Sequence, residues 1–324
     1  MILILSSSSD INVDYVISWL NQYDQEYIRL NADEIIESNF KLSLSNNSIC
    51  INDLTINPNE VEVVWYRKFG GFSKTNYFKK TSDYISHLDL QQLSSEYNSI
   101  LNAIISLFKH KNWITPPWLS QVNKLDMISL ARDFGISVPE SWIISSKKEL
   151  QSIQNLGYKL ISKSIFEPYF IQVEEGFYSM FTKQVEAKDI LPKTFFPSFV
   201  QEHIPKEYEI RIFYLNGKFY SMAIFSQLSK ITQMDFRKFD VTDPTRRVPY
   251  NLPFEVKMKI NKMLTKIGLN CCSIDLIKSS KDGQYYFLEI NPTGEFGMVS
   301  HPCNYEIYKN IAQTLIKIDK NGKI

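Results

Sequence analysis

The first third of the chain alternates short apolar runs with stretches whose apolar residues recur at helical spacing. Continuous apolar runs are typical of buried parallel strands, and recurrence every three or four residues is typical of amphipathic helices. The runs predict strands at 2–5, 27–30 and 61–66, and the periodic stretches predict helices at 10–20 and 84–108. This alternation predicts a small parallel α/β domain over residues 1–117, which ends at the stiff pair Pro116-Pro117.

The middle of the chain continues with a helical pattern over residues 123–134. Gly135 follows in the position that ends many helices, and Pro139 comes soon after. The next elements predicted are a strand at 142–144, a helix at 147–155 and a strand at 158–162. We predict that residues 118–190 form a small central domain.

The last region is the richest in strands and contains two hairpin patterns. Asn216-Gly217 and Asp282-Gly283 each separate two strand-like runs, which is a strong hairpin signal. Strands are predicted at 197–201, 208–215, 218–225, 272–278 and 285–290, and helices at 254–267 and 305–318. We predict a C-terminal domain built on an antiparallel sheet over residues 191–324, so that the whole chain is an α/β (α+β) protein of three parts.

Composition and charge narrow the classes of function. The chain has 324 residues, of which 44% are hydrophobic and 22% are charged, as is typical of a soluble globular protein. Its formal net charge of +1 gives no general electrostatic reason to bind nucleic acid or an anionic membrane surface. No apolar stretch approaches the roughly 20 residues of a membrane helix, and the apolar start lacks the basic flank of a signal peptide. We expect a cytoplasmic protein with no nucleic-acid or membrane partner.

The cysteines do not have the paired spacing of a zinc site. They are Cys50, Cys271, Cys272 and Cys303. Because adjacent residues of a strand point to opposite faces, Cys271 and Cys272 are not placed to bind one ion together. We interpret all four as reduced residues that contribute to packing.

Two carboxylates and an amide in the second hairpin are the first candidate site. Asp275 lies inside an apolar strand, and Glu289 and Asn291 lie at the end of the strand that follows the Asp-Gly turn. Because the turn pairs the two strands, Asp275 and Glu289 can converge, and Asn291 points to the same face as Glu289. These oxygen ligands suit magnesium, which commonly completes its shell with substrate phosphates. The alternative is a solvated charged pair, although an Asp within an apolar strand is costly without a partner.

A second candidate site lies upstream, where Gln201-Glu202-His203-Ile204 ends a predicted strand. Such a segment presents alternating backbone donors and acceptors that can read the edge of an adenine. Glu202 could accept from the exocyclic amine, and the backbone of Ile204 could donate. On the next strand, Glu209 and Arg211 share one face. The alternative is a cross-strand ion pair on a solvated sheet, and this segment alone does not decide between the two.

Taken in chain order, these residues resemble the ATP-grasp superfamily. The resemblance covers about residues 112–318 and adds Lys124, at the start of the helix that ends at Gly135, and Lys163, at the end of a strand. It implies an ATP-grasp fold in which Lys124 and Lys163 hold the nucleotide phosphates. The other implied contacts are adenine at Glu202 and Ile204, ribose at Glu209, and magnesium at Asp275, Glu289 and Asn291.

One stretch departs from the pattern of that superfamily. Many ATP-grasp enzymes carry a glycine-rich loop over the phosphates, whereas the stretch between Lys163 and Lys183 contains only Gly176. We still expect a phosphate lid around residues 165–180, without assigning the backbone amides that contact phosphate.

Four further motifs point to one family within this superfamily. They are Val64-Trp65-Tyr66-Arg67-Lys68, Met234-Asp235-Phe236-Arg237, Arg247-Val248-Pro249-Tyr250-Asn251-Leu252-Pro253 and Asn291-Pro292-Thr293-Gly294-Glu295-Phe296. These motifs resemble the graspetide synthetases, peptide maturases related to the microviridin ligases, and within them the grasp-with-spasm branch. The resemblance implies that the chain uses ATP to join Asp or Glu side chains of a ribosomal precursor peptide to Thr or Ser hydroxyls, or to a Lys amine, as ω-ester or ω-amide macrocycles. It further implies that the leader of the precursor docks on the enzyme and that the enzyme is a homodimer.

Several charged residues receive expected roles in this reaction. Arg211 is expected to stabilise the charge that develops during phosphoryl transfer, because its planar fork suits phosphate and carboxylate alike. Arg237 is a candidate for binding the peptide carboxylate or the acyl phosphate, and Asp235 for orienting the nucleophile or binding the leader. For both, the alternative is a surface ion pair. Arg67 is expected to line the cleft from the N-terminal domain, and Arg247 is expected to contact the substrate.

Two other functions stay open at this point. One is an ATP-grasp ligase similar to glutathione synthetase, which adds an amino acid to a small molecule or to a protein tail. The other is a non-catalytic module that binds peptides at a decayed nucleotide site. The presence of Asp275, Glu289 and Asn291 argues against the second.

Overall fold

A computed structural model of the chain describes residues 1–166, 170–173, 176–179, 182–186, 192–227 and 245–322. In its N-terminal part, an open parallel sheet has the strand order β2-β1-β6-β7 and confirms the predicted α/β pattern. The elements are β1 (Ile2–Ser6), α1 (Ile11–Gln22), β2 (Tyr27–Asn31), α2 (Glu34–Glu37), β3 (Phe40–Ser43), β4 (Ser48–Ile51), β5 (Leu54–Ile56), β6 (Val63–Tyr66), α3 (Asn76–Thr81), α4 (His87–Leu107) and β7 (Asn112–Ile114).

Local side-chain chemistry explains how the first helix begins. Asp10 is the N-cap of α1, and its carboxylate accepts a hydrogen bond from the Asn12 amide at 3.1 Å. The serines at 6–9 form the end of β1 and the turn before this cap. The antiparallel meander of β3, β4 and β5 was not predicted, because its short strands are half exposed and carry no long apolar run.

The central sheet is antiparallel, with the strand order β12-β9-β13-β8. The elements of this part are α5 (Lys124–Asp133), β8 (Ser141–Ser146), α6 (Lys147–Asn155), β9 (Leu160–Ser162), β10 (Phe170–Val173), β11 (Gly176–Ser179), β12 (Lys183–Val185) and β13 (Thr194–Glu202). The prediction placed the strand at 197–201 after the boundary at residue 190. Its hydrogen bonds to β8 and β9 instead make it part of the central sheet.

The C-terminal sheet has five antiparallel strands in the order β16-β15-β14-β17-β18. Its elements are β14 (Lys206–Leu215), β15 (Lys218–Phe225), β16 (Arg246–Tyr250), α7 (Phe254–Ile267), β17 (Cys271–Ser279), β18 (Tyr285–Asn291), α8 (Gly297–Ser300) and α9 (Ile307–Asn321). Both predicted hairpins are confirmed, and Gly217 and Gly283 have the positive φ values of 83° and 68° that make glycine favourable in these turns.

The two faces of this sheet belong to different cores. Cys272 and its neighbours on one face pack against α5 and α7, whereas Cys271 on the other face shares a core with α1, α9 and the N-terminal sheet. Cys271 and Cys272 therefore point to opposite sides, and all four cysteines are free thiols. The shared core joins the N-terminal sheet to the C-terminal one through α9. Within the described part of the chain, no helix has both the length and the apolar character needed to cross a membrane.

Candidate active site

A row of paired residues crosses three strands of the C-terminal sheet. Arg211 on β14 is the register partner of Asp275 on β17, and Asp275 is the partner of Glu289 on β18. The convergence of Asp275 and Glu289 that the sequence predicts is therefore confirmed. Asn291 follows on the same strand and pairs with Ser273, two residues before Asp275. Directly opposed residues of paired strands share a face, so the two carboxylates and the amide lie together.

This convergence depends on an irregularity of the hairpin. From the Asp-Gly turn as far as Leu276 and Phe287, the residues of β17 and β18 pair one to one. The register then shifts by one residue, so that Asp275 pairs with Glu289 rather than with Leu288. Without this bulge, Glu289 would point to the opposite face of the sheet.

Cations contact both acidic side chains of the row. The Nη1 atom of Arg211 donates to Asp275 Oδ2 at 2.6 Å, and both side chains are nearly buried. Lys124 Nζ lies 3.0 Å from Glu289 Oε2 and also donates to the carbonyl of Ser164 at 3.0 Å. The Nε atom of Arg211 is buried and has no hydrogen-bond partner among the described residues. Arg211 therefore has one N–H donor, at Nε, that does not bond to Asp275 or to any other described residue.

A cavity of about 300 Å³ opens onto this row. Its lining contains ten of the predicted site residues: Lys163, Gln201, Glu202, His203, Ile204, Glu209, Arg211, Asp275, Glu289 and Asn291. Lys124 joins them through its ion pair with Glu289. Asp235 and Arg237 lie outside the described residues, as does part of the predicted phosphate lid.

The strand-end segment forms one wall of the cavity. Backbone hydrogen bonds from Glu202 to the carbonyl of Glu140, at 2.8 Å, and from His203 to the carbonyl of Lys159, at 2.7 Å, hold it where β13 leaves the sheet. Burial, together with the charges of Lys206 and Lys159, lowers the pKa of His203 below its ordinary value, so the ring is neutral near pH 7. The adenine contacts of Glu202 and Ile204 stay a prediction.

Glu209 is buried beside a lysine that the sequence prediction missed. Lys206 forms an ion pair with Glu209, and the Ser226 hydroxyl donates to the same carboxylate at 3.1 Å. Burial raises the pKa of Glu209 above its ordinary value in spite of the lysine charge. Strict alternation would place Lys206 on the face opposite Glu209, but the register of β14 against β17 shifts between Lys206 and Tyr208. A ribose contact at Glu209 stays a prediction.

The two arginines predicted to contact substrate have different surroundings. Arg67 is 3% exposed, and its guanidinium contacts Asp10 and Glu295. At the end of β6, the Arg67 guanidinium is occupied by these contacts with other residues of the protein. A direct contact between Arg67 and substrate stays a prediction. Arg247 lies on β16 opposite Ile224, a residue that lines the cavity. Its Nε atom is buried and has no hydrogen-bond partner among the described residues.

Glu295 is a cavity residue to which the sequence prediction gave no role of its own. It follows Asn291 in the Asn-Pro-Thr-Gly-Glu-Phe motif, and this motif was the available signal. Its carboxylate forms ion pairs with Lys68 and Arg67 and accepts from Asn12 Nδ2 at 2.6 Å. Burial opposes ionisation, but the Lys68 hydrogen bond and the charges of Arg67 and Lys68 together lower the pKa of Glu295.

Gly294 is packed so closely that any side chain should disturb the site. A Cβ atom there would lie 2.5 Å from Ser273 Cβ and 2.5 Å from its Oγ, and Ser273 pairs with Asn291. We expect Gly294→Ala to lower the free energy of unfolding by roughly 1–3 kcal/mol through overpacking, and to reduce nucleotide turnover. Denaturant unfolding and ADP release measure the two effects. Adding Ser273→Gly should restore part of both, and a stable, fully active Gly294→Ala protein would contradict the packing argument.

The donor set fits a divalent cation that is shared with phosphates. No group of three or more His, Cys, Asp or Glu residues in the described ranges is placed to hold a metal by itself. Asp275, Glu289 and Asn291 offer two carboxylates and an amide oxygen, which are hard ligands. Magnesium commonly binds through one or two carboxylates and the phosphates of a nucleotide. The residues present therefore fit magnesium bound with ATP.

Comparisons with known proteins find matches by structure. A scan against protein-family models finds no match, and neither does a search of curated proteins. The RiPP-associated ATP-grasp ligase of Chryseobacterium gregarium matches with a TM-score of 0.83 and 21% identity, over 98% of this chain and 96% of that one. The macrocyclase MdnC of Microcystis aeruginosa matches with a TM-score of 0.77 and 23% identity, over 98% and 100%. The D-alanine–D-alanine ligase of Bacillus anthracis matches with a TM-score of 0.50 and 15% identity, over 98% and 96%.

These similarities extend over nearly the whole length of each chain. They agree with the arrangement seen here, in which a parallel N-terminal sheet precedes two antiparallel sheets. The chain therefore has the ATP-grasp fold.

Proposed function

We propose that the chain is an ADP-forming ATP-grasp ligase that cyclises a ribosomal precursor peptide. It activates Asp or Glu side chains of the peptide as acyl phosphates and joins them to Thr or Ser hydroxyls, or to a Lys amine. The products are ω-ester or ω-amide macrocycles. ATP and Mg²⁺ are the cofactors, and the homodimer that the family resemblance implies is part of the proposal.

One observation carries this proposal. Asp275 and Glu289 face each other in a cavity that also contains Arg211 and Lys163. Phosphoryl transfer to a carboxylate brings two anions together, so it needs concentrated positive charge and a cation site at one place. The acidic side chains of the row across β14, β17 and β18 would hold the cation, and Arg211, Lys124 and Lys163 would provide the positive charge.

The substrate class is supported by what several of the matching structures contain. The Chryseobacterium ligase is in complex with ADP and a leader and core peptide, and MdnC is bound with its precursor peptide MdnA. The ligase PsnB, with a TM-score of 0.77 and 18% identity, is complexed with a minimal precursor, Mg and ADP. The D-alanine–D-alanine ligase matches less well, at 0.50. Similarity therefore favours a peptide substrate over a free amino acid.

The first chemical step transfers the γ-phosphoryl group of ATP to an oxygen of the peptide carboxylate and releases ADP. Asp275, Glu289 and Asn291 would hold Mg²⁺, which when bound neutralises part of the phosphate charge. Lys124 and Lys163 would bind the phosphates, a role that the family resemblance implies and that their positions beside Glu289 and in the cavity lining support. Arg211, which lines the cavity and pairs with Asp275, would stabilise charge on the transferring group.

The second step forms the ring. A hydroxyl or amine of the peptide attacks the acyl carbon, the bond between that carbon and the phosphate oxygen breaks, and inorganic phosphate leaves. The attacking group loses its proton, so the balance is one water removed from the peptide per ATP hydrolysed to ADP and phosphate. Because water competes as the nucleophile, the cavity has to close over the acyl phosphate.

The proposal is tested with the protein, ATP, Mg²⁺ and a small Thr- and Glu-rich precursor peptide, taken from beside its gene if one is encoded there. We expect the peptide to lose the mass of one water for each bond formed, with one ADP released per bond. ADP release with free amino acids and an unchanged peptide would favour the small-molecule ligase. Peptide binding without ADP release would favour the non-catalytic module. Either result contradicts the proposed cyclisation.

A further inference from the structure

A buried ion pair connects two loops of the N-terminal domain beside the active site. Arg67, at the end of β6, places its Nε 2.8 Å from Asp10 Oδ2, and both side chains are less than 5% exposed. Asp10 is also the N-cap of α1, so its second oxygen is held by the Asn12 amide. The guanidinium is therefore fixed in position by the N-terminal domain.

The rest of the guanidinium reaches across to the loop that follows Asn291. Its Nη1 donates to the carbonyls of Thr293, at 3.4 Å, and Gly294, at 3.3 Å. Its Nη2 lies 3.2 Å from Glu295 Oε2, and its carbon stands 4.7 Å from the ring centre of Phe296. One side chain thus contacts four successive residues of this loop.

The same loop is packed tightly on its other sides. Gly294 lies against Ser273, the register partner of Asn291. At Gly297, the first residue of α8 directly after the loop, a Cβ would lie 2.7 Å from the Tyr308 hydroxyl. Because glycine packing leaves so little free space, a displacement of the loop is transmitted to its neighbours rather than absorbed. Asn291 is at the start of this loop.

We propose that Arg67 is a positioning residue for the cation site, through which the N-terminal domain holds Asn291 in place beside Asp275 and Glu289. The inference rests on the proposed function, because it assigns a role to Arg67 at the same site. Arg67 does not contact the cation. It sets the affinity for the divalent ion by fixing the backbone that carries one ligand, in the way that outer-shell partners of metal ligands act.

The test uses Arg67→Lys, which keeps the charge but cannot contact Asp10, two carbonyls and Glu295 together. Mn²⁺ replaces Mg²⁺ because free and bound Mn²⁺ are distinguished by electron paramagnetic resonance. In the presence of ADP we expect the Kd for Mn²⁺ to rise by about 10-fold to 100-fold. The Kd for ADP without metal should stay within about twofold, since Arg67 does not line the cavity. Arg29→Lys is the matched control, because its ion pair with Asp14 lies in the same domain, away from the loop.

Four outcomes are informative. Weaker Mn²⁺ binding in Arg67→Lys, but not in Arg29→Lys, supports the inference. An unchanged Kd for Mn²⁺, whether or not the melting temperature falls, overturns it and reduces Arg67 to a stabilising residue. If Arg67→Lys does not fold, Asp10→Asn has to show the same selective loss, because it keeps an N-cap acceptor for α1 but removes the carboxylate that holds the Arg67 guanidinium. No Mn²⁺ binding by the unsubstituted protein with ADP would overturn the proposed function together with this inference.

Discussion

Replacing Glu289 by Gln is expected to reduce the rate of ATP-dependent cyclisation by roughly 100-fold to 1,000-fold. The amide can still accept a hydrogen bond from Lys124, which lies 3.0 Å from the carboxylate, so the fold should persist. What is lost is the negative charge that holds a divalent ion opposite Asp275. The rate of ADP release at saturating peptide measures the effect, and circular dichroism checks the fold.

A matched substitution tests whether the effect comes from the charge at position 289 or only from the change in net charge. Glu255→Gln removes a carboxylate whose ion pair with Lys259, at 3.0 Å, is on the exposed surface of α7. Such pairs contribute little, so turnover should stay within about twofold of the parent. If Glu289→Gln turned over as fast as Glu255→Gln, Glu289 would not be a ligand of the catalytic cation.

Replacing Arg211 by Met is expected to lower both stability and turnover. Asp275 would keep its place in β17 but lose the guanidinium that donates to it at 2.6 Å. Removing one partner of a buried ion pair commonly costs about 3–5 kcal/mol, because the other charge is left without compensation. Denaturant unfolding measures this loss, and ADP release measures the loss of charge stabilisation, which we expect to be roughly 100-fold or more.

The double variant Arg211→Met/Asp275→Leu separates the loss of stability from the loss of turnover. Because both charges are gone, it should regain most of the lost stability. It should stay inactive, because neither the arginine donor nor the cation ligand is present. An Arg211→Met protein as active as the parent would exclude Arg211 from the reaction. Lys259→Met, on the exposed surface, is the control for removal of a positive charge.

The hairpins of the C-terminal sheet could be predicted because their signals are local. Asn216-Gly217 and Asp282-Gly283 are turn sequences flanked by apolar runs, and the structure has both hairpins where the sequence placed them. The carboxylates at 275 and 289 were recognised for the same reason, as polar residues within or at the end of apolar strands. Signals of this kind lie within a few residues of the feature that they predict.

The bulges could not be predicted, and they decide which side chains meet. Glu289 faces Asp275 because one extra residue enters β18, and Lys206 reaches Glu209 because the register of β14 shifts. A shift of one residue reverses every side chain beyond it, and nothing in a single sequence marks where the shift occurs. Strand pairing therefore predicted that Asp275 and Glu289 lie near each other, but not the bulge that brings them to one face, and the role of Lys206 was missed.

Contacts between distant parts of the chain were the other feature that the sequence could not predict. Arg67 and Glu295 are 228 positions apart in the chain, and their contact exists only because the N-terminal and C-terminal sheets share a core. The sequence suggested a place in the cleft for Arg67, whereas the structure shows it buried against Asp10 and the loop that carries Glu295. Periodicity and motif order do not specify which loops of two domains meet.

Locating the bound ion is the most direct test of the catalytic centre. Crystals of the protein grown with ADP and Mn²⁺ should give one strong anomalous peak in contact with the side chains of Asp275 and Glu289. The ADP phosphates should lie between this ion and Lys163. An ion bound elsewhere, or ADP bound while both carboxylates still pair with Arg211 and Lys124 and hold no ion, would contradict the account.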